Sequence, residues 1–560
     1  MSRARDLADR VLHNRTHEDI EGGRESIVTF KGEQSGGEIS TLAQIQASHD
    51  GTSDDQKADL IFKTNDGSDG ASPTERMKID SNGSILTSTL GTDNVHLGEG
   101  AGVAIVSGGN QNTLIGKDAG AALTTGDNNV AVGFEALKTE DGDGNNVAVG
   151  YQALKTLNAG ANGNNTAIGY ATGNTISTGT ANTLMGAFAG DALTTGSNNI
   201  AIGYEALSTE DANGKNLAIG YQALKTLDVG SDGFNTVIGY QAGTSMNTGQ
   251  VNTLIGHQAG DALTTGNNNV AVGHEALGAE IQGDKNVAIG VGALQSQSNS
   301  SDTDAHNVAV GYNAGVNVTT AVANTLVGSD AGETLTTGAS NVGVGREALH
   351  DCTEGVGNVC VGQGAGFKIT DGDTSTFVGL YAGYYDGSTT GNGTTTGNNV
   401  TCIGAYSIPS NSTANNEFTL GNNTIGNLRC NDTSISSLSD ERDKSNIVDV
   451  PLGLDFIKTL RPVSFDWNRR DGSCEGRKDF GFIAQELKTA QDATDYADHM
   501  RLVHSGSVHI DGKNQESLEA DPMKTYPVLI KAVQELSAKV DALETENTAI
   551  KARLDALEAE

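Results

Sequence analysis

The sequence predicts a mainly β protein. An elongated β-solenoid shaft, with an intertwined triple β-helix as the alternative arrangement, lies between a small N-terminal β domain and a C-terminal α+β domain ending in a coiled coil. Three observations carry this reading. One Gly-centred phrase recurs from Gly98 to Gly421, and no proline occurs between Pro73 and Pro409. Charge density changes sharply near residue 440: 40 of the last 121 positions are charged, against 65 of the first 439.

Composition agrees. Glycine supplies 74 of 560 residues, nearly twice its usual share of roughly 7%. Hydrophobic residues make up 36% and aromatics only 4%, too little for several ordinary cores in a chain of this length. Disordered low-complexity chains are enriched in proline, and this chain has six. A long β-ladder excludes proline because proline lacks the ladder donor. The formal charge of −35 argues against nucleic acid or an anionic membrane as partner. No apolar run approaches the length needed for membrane insertion.

The N-terminus, MSRARDLADRVLHNRTHED, lacks a secretory apolar stretch. The five cysteines (Cys352, Cys360, Cys402, Cys430, Cys474) form no CxxC pair, so neither a zinc site nor a disulfide framework is expected. Synthesis in a reducing cytosol is the expectation.

Residues 1–23 contain a short amphipathic helix from Ser2 to His17, with Leu7, Val11 and Leu12 on one side. Residues 24–95 form the small β domain: ESIVTFKG, STLAQIQASHDG, ADLIFKTNDG and ERMKIDSNGSIL each end in turn chemistry. Asn82-Gly83 suits a tight hairpin. These runs resemble the N-terminal parts of phage tail-fibre proteins, which implies that residues 1–23 dock on a virion.

The shaft occupies 96–421. Its phrase reads Asn-x-[apolar]-[Ile/Val]-Gly-x-x-Ala-[Leu/Gly], as in NTLIGKDAG, NVAVGFEAL and NLAIGYQAL. Most steps are 17 residues, with occasional 18, 19, 21 and 25, and NTL opens the phrase before Gly116, Gly186 and Gly256, each 70 apart. A fixed short period is the signature of a solenoid. The Val/Ala/Val triplet makes one short strand whose residues alternate between a narrow interior and the outside. Asn at a fixed corner suits a hydrogen-bonded ladder, and Gly suits φ > 0. Longer steps then become extra length in one loop. At about 4.8 Å per coil the register implies a rod of roughly 90 Å.

The phrase resembles the SVAIG-bearing β-roll head of trimeric autotransporter adhesins, over about 330 residues, although 17 is longer than that family's usual coil. The resemblance implies a homotrimeric β-solenoid/β-roll shaft.

Residues 422–439 link the shaft to the last domain. From 440 to 528 the runs SDERDKSNIVDVPLGLDFIKTLRPVSFDW, KDFGFIAQEL and TYPVLIKAVQEL resemble the endosialidase-type intramolecular chaperone of phage tail fibres and spikes. That family's Ser-Asp-x-Arg-x-Lys motif is matched by Ser439, Asp440, Arg442 and Lys444. Its Gly-x-Ile-Ala-Gln-Glu segment is matched at Gly481, Ile483, Ala484, Gln485 and Glu486. The resemblance implies a trimeric folding nucleus that releases itself at Ser439–Asp440, a single-turnover Ser-Lys peptidase and not a multi-turnover enzyme. The residue types suit this, since a Ser hydroxyl needs a base and a buried Lys can serve. Attack by Ser439 on its own carbonyl would close a four-membered ring, so the route stays open, with Asp440 and Glu486 as further candidates. Asn446 stands where some family members carry His, so the competing expectation is a chain that folds with this domain and keeps it attached.

Residues 529–560 carry a heptad: Val533, Leu536, Val540, Leu543, Asn547, Ile550, Leu554 and Leu557. Asn547 at an a position is a register device often associated with dimers, whereas the family resemblance implies a trimer.

No cofactor or metal is expected. His257 and His274 replace a Tyr or Lys of the repeat, and the Gly-rich stretches lack the strand–loop–helix context of a dinucleotide site. The calcium nonapeptide is missing, while an ion on the shaft axis stays open. Glu135, Glu205 and Glu275 recur with the repeat and read as solvated surface. The functional expectation is a virion tail fibre or spike, assembled in the host cytoplasm. It would bind other tail proteins through its N-terminus and a host cell-surface receptor, a glycan among the candidates. A glycan-degrading tailspike is the first alternative, disfavoured because no large insertion interrupts the register. A bacterial trimeric adhesin is the second, disfavoured by the missing secretion signal and anchor.

Overall fold

The computed structural model describes residues 25–559, apart from 34–38, 50–57, 66–72, 83–84, 88–90, 143, 161, 385–395, 411–412, 423, 426–427, 430–438, 469–474 and 511–512. The expected helix at Ser2–His17 and most of the 422–439 linker lie outside the described residues. The chain divides into two compact units, one ending at Ala323 and one starting at Asn324.

The first unit opens with a five-stranded antiparallel meander: β1 (Glu25–Glu33), β2 (Ile39–His49), β3 (Ala58–Thr64), β4 (Thr74–Ile79) and β5 (Ile85–Thr87). Alternation sets its faces. In β3, Asp59 and Ile61 are buried while Ala58 and Leu60 point outward. Asp59 is matched by Lys78 at 2.9 Å from β4 and accepts the Ser81 amide. Asn82 lies in the turn that closes the β4–β5 hairpin.

The repeat then builds a parallel β-solenoid. In the first unit the three-residue strands run from Val95–Leu97 to Val308–Val310, and each pairs in register with the next coil of the same chain. The ladder is therefore closed within one chain as a solenoid, not threaded between chains as a triple β-helix. Longer coils keep the register: Val147 pairs Thr166 and Val287 pairs Val308, with the extra residues taken up before the corner Asn. The second unit carries the same ladder from Thr325–Val327 to Glu417–Leu420, including the step from Thr376 to Thr401.

Three of the interior columns show how the coils are held together. The middle strand residue is buried (Leu114, Ala131, Ala148), while its neighbours face out. The corner Asn residues form the expected ladder: the Asn129 amide donates to Asn112 Oδ1 at 2.9 Å, and Asn182 repeats this onto Asn165 at 3.0 Å. Most of the side-chain amides also reach a carbonyl 14 residues on, as Asn182 Nδ2 does to Gly196 at 2.9 Å, while Asn146 and Asn216 reach back to Gly144 and Gly214. These bonds supply the partners that burying such amides at low cost requires.

The third column shows size compensation. Where the strand centre is Leu114, Leu184 or Leu254, the residue six positions on is Gly120, Gly190 or Gly260. Where it is Ala131, Ala201 or Ala271, that position is Leu137, Leu207 or Leu277. A Cβ on Gly120 would sit 2.9 Å from Leu114 Cδ2, in a left-handed backbone (φ 57°). Large and small residues thus swap places while the interior volume is kept, the arrangement that cores tolerate best. The repeat Gly is held by a closer approach: a Cβ on Gly116 (φ 131°) would lie 2.7 Å from the Gly133 carbonyl carbon.

Two features depart from expectation. Glu135 and Glu205 are not freely solvated: Glu135 is hemmed by Lys138 (2.6 Å), Lys155 (2.8 Å) and Gln152 (2.8 Å), and Glu205 by Lys225 and Gln222. The hydrogen bonds from Lys138 hold the Glu135 carboxyl down at about 2. A second series, Glu140, Glu210 and Glu280, is fully buried in a column otherwise filled mainly by Leu, Ile and Met. Glu280 is stabilised there by the amides of Ile281, Gln282, Gly283 and Asn299 and by the Gln297 side chain.

The last domain, within the second unit, packs α1 (Leu454–Ile457), α2 (Ala484–Asp492), α3 (Ala497–Met500) and the start of α4 (Tyr526–Glu558) around Phe456, Leu487, Met500, Leu502 and Val528. Two hairpins accompany them, Val463–Asp466 with Lys478–Gly481 and Val503–Ile510 with Lys513–Ala520. Glu535 of α4 accepts the Leu454 amide at 2.8 Å, which pins the N-terminus of α1 to the long helix. Gln491 does the same for the Leu502 amide at 2.6 Å.

Candidate self-processing site

Residues 440–444 form a tight turn. Asp440 caps the short 3-10 helix Glu441–Asp443, its Oδ1 accepting the Arg442 amide at 2.9 Å. The Arg442 guanidinium folds back on the same carboxylate in a bidentate pair, with Nη2 2.6 Å from Oδ2. These hydrogen bonds hold the Asp440 carboxyl below its ordinary range. The turn closes with the Lys444 amide donating to the Glu441 carbonyl at 3.1 Å. That reversal returns the Lys444 side chain to the start of the segment.

There its Nζ lies 2.6 Å from Ser439 Oγ and 3.2 Å from the Ser439 carbonyl oxygen. The five-residue spacing read from the sequence therefore does bring Ser439 and Lys444 into contact. Both side chains are exposed on the single chain. Asp440 and Arg442 shape the turn. Glu486, in the first turn of α2, is committed elsewhere: Arg461 grips it through Nε at 2.9 Å and through Nη2, which holds its carboxyl low. Asn446 takes a left-handed backbone (φ 53°) just beyond the turn. Sequence reasoning missed Arg461, since nothing in the local spacing links it to a residue 25 positions away.

Residues 439–498 match the family described as chaperone of endosialidase. The match begins on Ser439 itself and covers α1, the first hairpin and α2. No curated protein and no solved structure matches the chain. The chaperone-like segment is thus joined in one chain to the β-solenoid coils that precede it.

After the chaperone-like segment, α4 carries the heptad on a free face. Val533, Leu536, Val540, Leu543, Ile550, Leu554 and Leu557 are each 45–69% exposed. No helix among the described residues is long and apolar enough to cross a membrane.

Elsewhere, the coil surface holds one further arrangement that the sequence did not announce. The residues following the repeat Gly stack into a column: Phe134, Tyr151, Tyr170, then Tyr204, Tyr221, Tyr240, His257 and His274, with centroids 4.9–5.4 Å apart within each run. Ala187 interrupts it, and Phe188 from the next position fills the gap. The two histidines are ring-column members.

The four extra residues of the coil from Asn286 form a ledge, where Gly283–Asp284 pairs Thr303–Asp304. Below it lies a polar cleft of about 680 Å³, lined by residues including Gln250, Asn267, Asp284, Lys285 and Asp302. Asp284 already accepts the Asn267 amide at 2.6 Å, which makes it a structural corner of the coil.

Proposed function

We propose that this chain is a virion tail fibre or spike used for host attachment, assembled as a homotrimer by its C-terminal domain, which then cuts itself free at Ser439–Asp440. The observation that carries the reading is the chaperone match starting on Ser439, in the same chain as β-solenoid coils. The contact between Lys444 and both Ser439 oxygens supports the self-cutting step. Hydrolysis of that peptide consumes one water and leaves a carboxylate on Ser439 and an amino group on Asp440. A neutral Lys444 amine, bonded to Ser439 Oγ, is placed to take a proton from the attacking water through that hydroxyl, and to return it to the Asp440 nitrogen as the peptide bond breaks. As an ammonium it is placed to stabilise negative charge developing on the carbonyl oxygen.

Trimer formation is supported by the exposed α4 seam, because a helix with one unpartnered apolar stripe buries it against copies of itself. The N-terminal segment is the part assigned to docking on other tail proteins, and the solenoid surface to the host receptor. Assembly in the host cytoplasm and residence on the virion follow from the same reading.

The test is competition. Purified protein should lower adsorption of the particle that carries it in proportion to its concentration. Unchanged adsorption at saturating protein would contradict host attachment. Release of reducing sugar from host surface polysaccharide would favour the glycan-degrading alternative.

A further inference from the structure

We propose that the polar cleft below the Gly283–Asp284 ledge is a binding site for a short uncharged glycan. The inference rests on the host-attachment reading and gives the receptor a chemistry and a place on the solenoid.

The cleft comes from the longest coil step of the first unit. From Asn286 to Asn307 the step is 21 residues, against the usual 17. Its extra length folds Thr303–Asp304 back beside Gly283–Asp284, the only second ladder among the described coils. With the corners of the two preceding coils it encloses about 680 Å³. Small-ligand sites span roughly 300–1,000 Å³.

The corner spends some of its polar side chains on itself. Asn267 Oδ1 accepts the Gln250 amide at 2.8 Å, and Asp284 accepts the Asn267 amide at 2.6 Å. Four neighbours lining the same cleft are not spent. Thr248, Thr265, Asn268 and Asp302 make no side-chain hydrogen bond among the described residues. They offer two hydroxyls, an amide and a carboxylate, so both donors and acceptors are available. Sugar hydroxyls need that mixture, because each one donates and accepts. Val251, 51% exposed, adds an apolar contact for the C–H face of a ring. The backbone beneath is fixed before a ligand arrives: the Asn268 amide donates to the Gln250 carbonyl and the Lys285 amide to the Asn267 carbonyl, both at 3.1 Å. Preorganised groups lose little freedom on binding.

Charge narrows the occupant. Lys285, the cation of the lining, is paired with Asp304 at 2.5 Å, so Asp284 and Asp302 leave the cleft negative. A uronic or sialic acid would bring like charge against them, in a chain already at −35. An apolar ligand would strand the unspent polar groups. A neutral sugar does neither.

The experiment uses full-length protein and saturation-transfer NMR with neutral oligosaccharides (lactose, maltotriose, mannotriose, chitotriose) and acidic ones (sialyllactose, trigalacturonic acid). The expected result is saturation of at least one neutral oligosaccharide and of no acidic one. Thr265→Val combined with Asp302→Ala should weaken that binding about tenfold or more. Thr125→Val, at the same repeat position in a coil without the ledge, should bind as the parent does. If the double variant is destabilised, Thr248→Trp, which fills the cleft from an exposed corner, carries the same test. No binding of any neutral member, equal binding of the acidic ones, or unchanged binding in the cleft variants overturns the site. Competition for particle adsorption separates this from the reading beneath it. A cleft variant that blocks adsorption as well as the parent overturns the cleft as receptor site alone. A parent that binds sugar through the cleft yet leaves adsorption unchanged overturns host attachment and leaves the site standing.

Discussion

Lys444 Nζ lies 2.6 Å from the hydroxyl of Ser439 and 3.2 Å from the carbonyl oxygen of the same residue. One side chain thus reaches both the candidate proton donor and the oxygen of the bond expected to break. Arginine keeps the cation and the hydrogen bonds but does not lose its proton in a protein. Lys444→Arg is therefore expected to stop conversion almost completely, by at least a hundredfold in rate on denaturing gels. Glu486→Gln should convert within about threefold of the parent, because Glu486 is paired with Arg461 and not with Ser439.

The Leu114–Gly120 pair gives a second test. Leu114→Ala empties core volume and should cost about 3 kcal/mol. Gly120→Leu drives a side chain into Leu114 and should cost about 3 kcal/mol through overpacking and a left-handed backbone. The double variant recreates the Ala131–Leu137 pair of the next coil. It should return to within about 1 kcal/mol of the parent in thermal or urea unfolding. Additive losses in the double variant would refute size compensation.

The corner ladder predicts a local loss. Asn182→Ala removes the acceptor of the Asn199 amide and the donor to the Gly196 carbonyl, leaving both buried. The expected cost is about 2–4 kcal/mol. Hydrogen exchange should show the Asn199 amide opening at least tenfold faster than amides four coils away.

Burial pushes the Asp191 carboxyl up to about 6, with the Glu205 charge adding to it. Its Oδ1 has no hydrogen-bond partner among the described residues. The ordinary value is lower, so the folded chain holds more protons than the unfolded one between about pH 4 and 6. Stability from this group therefore falls as pH rises through that window, and the penalty is complete above it. Asp191→Asn should stabilise at pH 7.5 by about 1 kcal/mol, after allowance for partial exposure, and change little at pH 4. Melting temperatures at the two pH values decide it, and equal shifts at both would contradict the assignment.

The solenoid was legible because its signals are periodic. Strand, corner Asn and repeat Gly each recur in register, and the Asn112–Asn129 ladder follows from that spacing. The αL corner residues such as Leu137 were not legible, since non-Gly residues seldom adopt that conformation and only the stacked coils enforce it. Buried Glu280 was missed for a related reason: a carboxylate is placed outside unless its donors are known, and those come from the next coil as well as its own. At the candidate site, Ser439 and Lys444 are five residues apart and could be paired by inspection. The Arg461–Glu486 bridge spans 25 residues and depends on the packing of α2.

The segment from Ser439 onward is most directly tested by the intact mass of full-length chain after assembly, beside Ser439→Ala and Lys444→Ala. The expected result is conversion of the parent to a 439-residue chain and a 121-residue fragment whose first residue is Asp440. Both variants should retain the single full-length mass and the same oligomeric state. A parent chain that keeps its full mass after prolonged incubation of the assembled protein would contradict self-cutting and leave an attached chaperone. Fragments from Ser439→Ala would remove Ser439 from the chemistry.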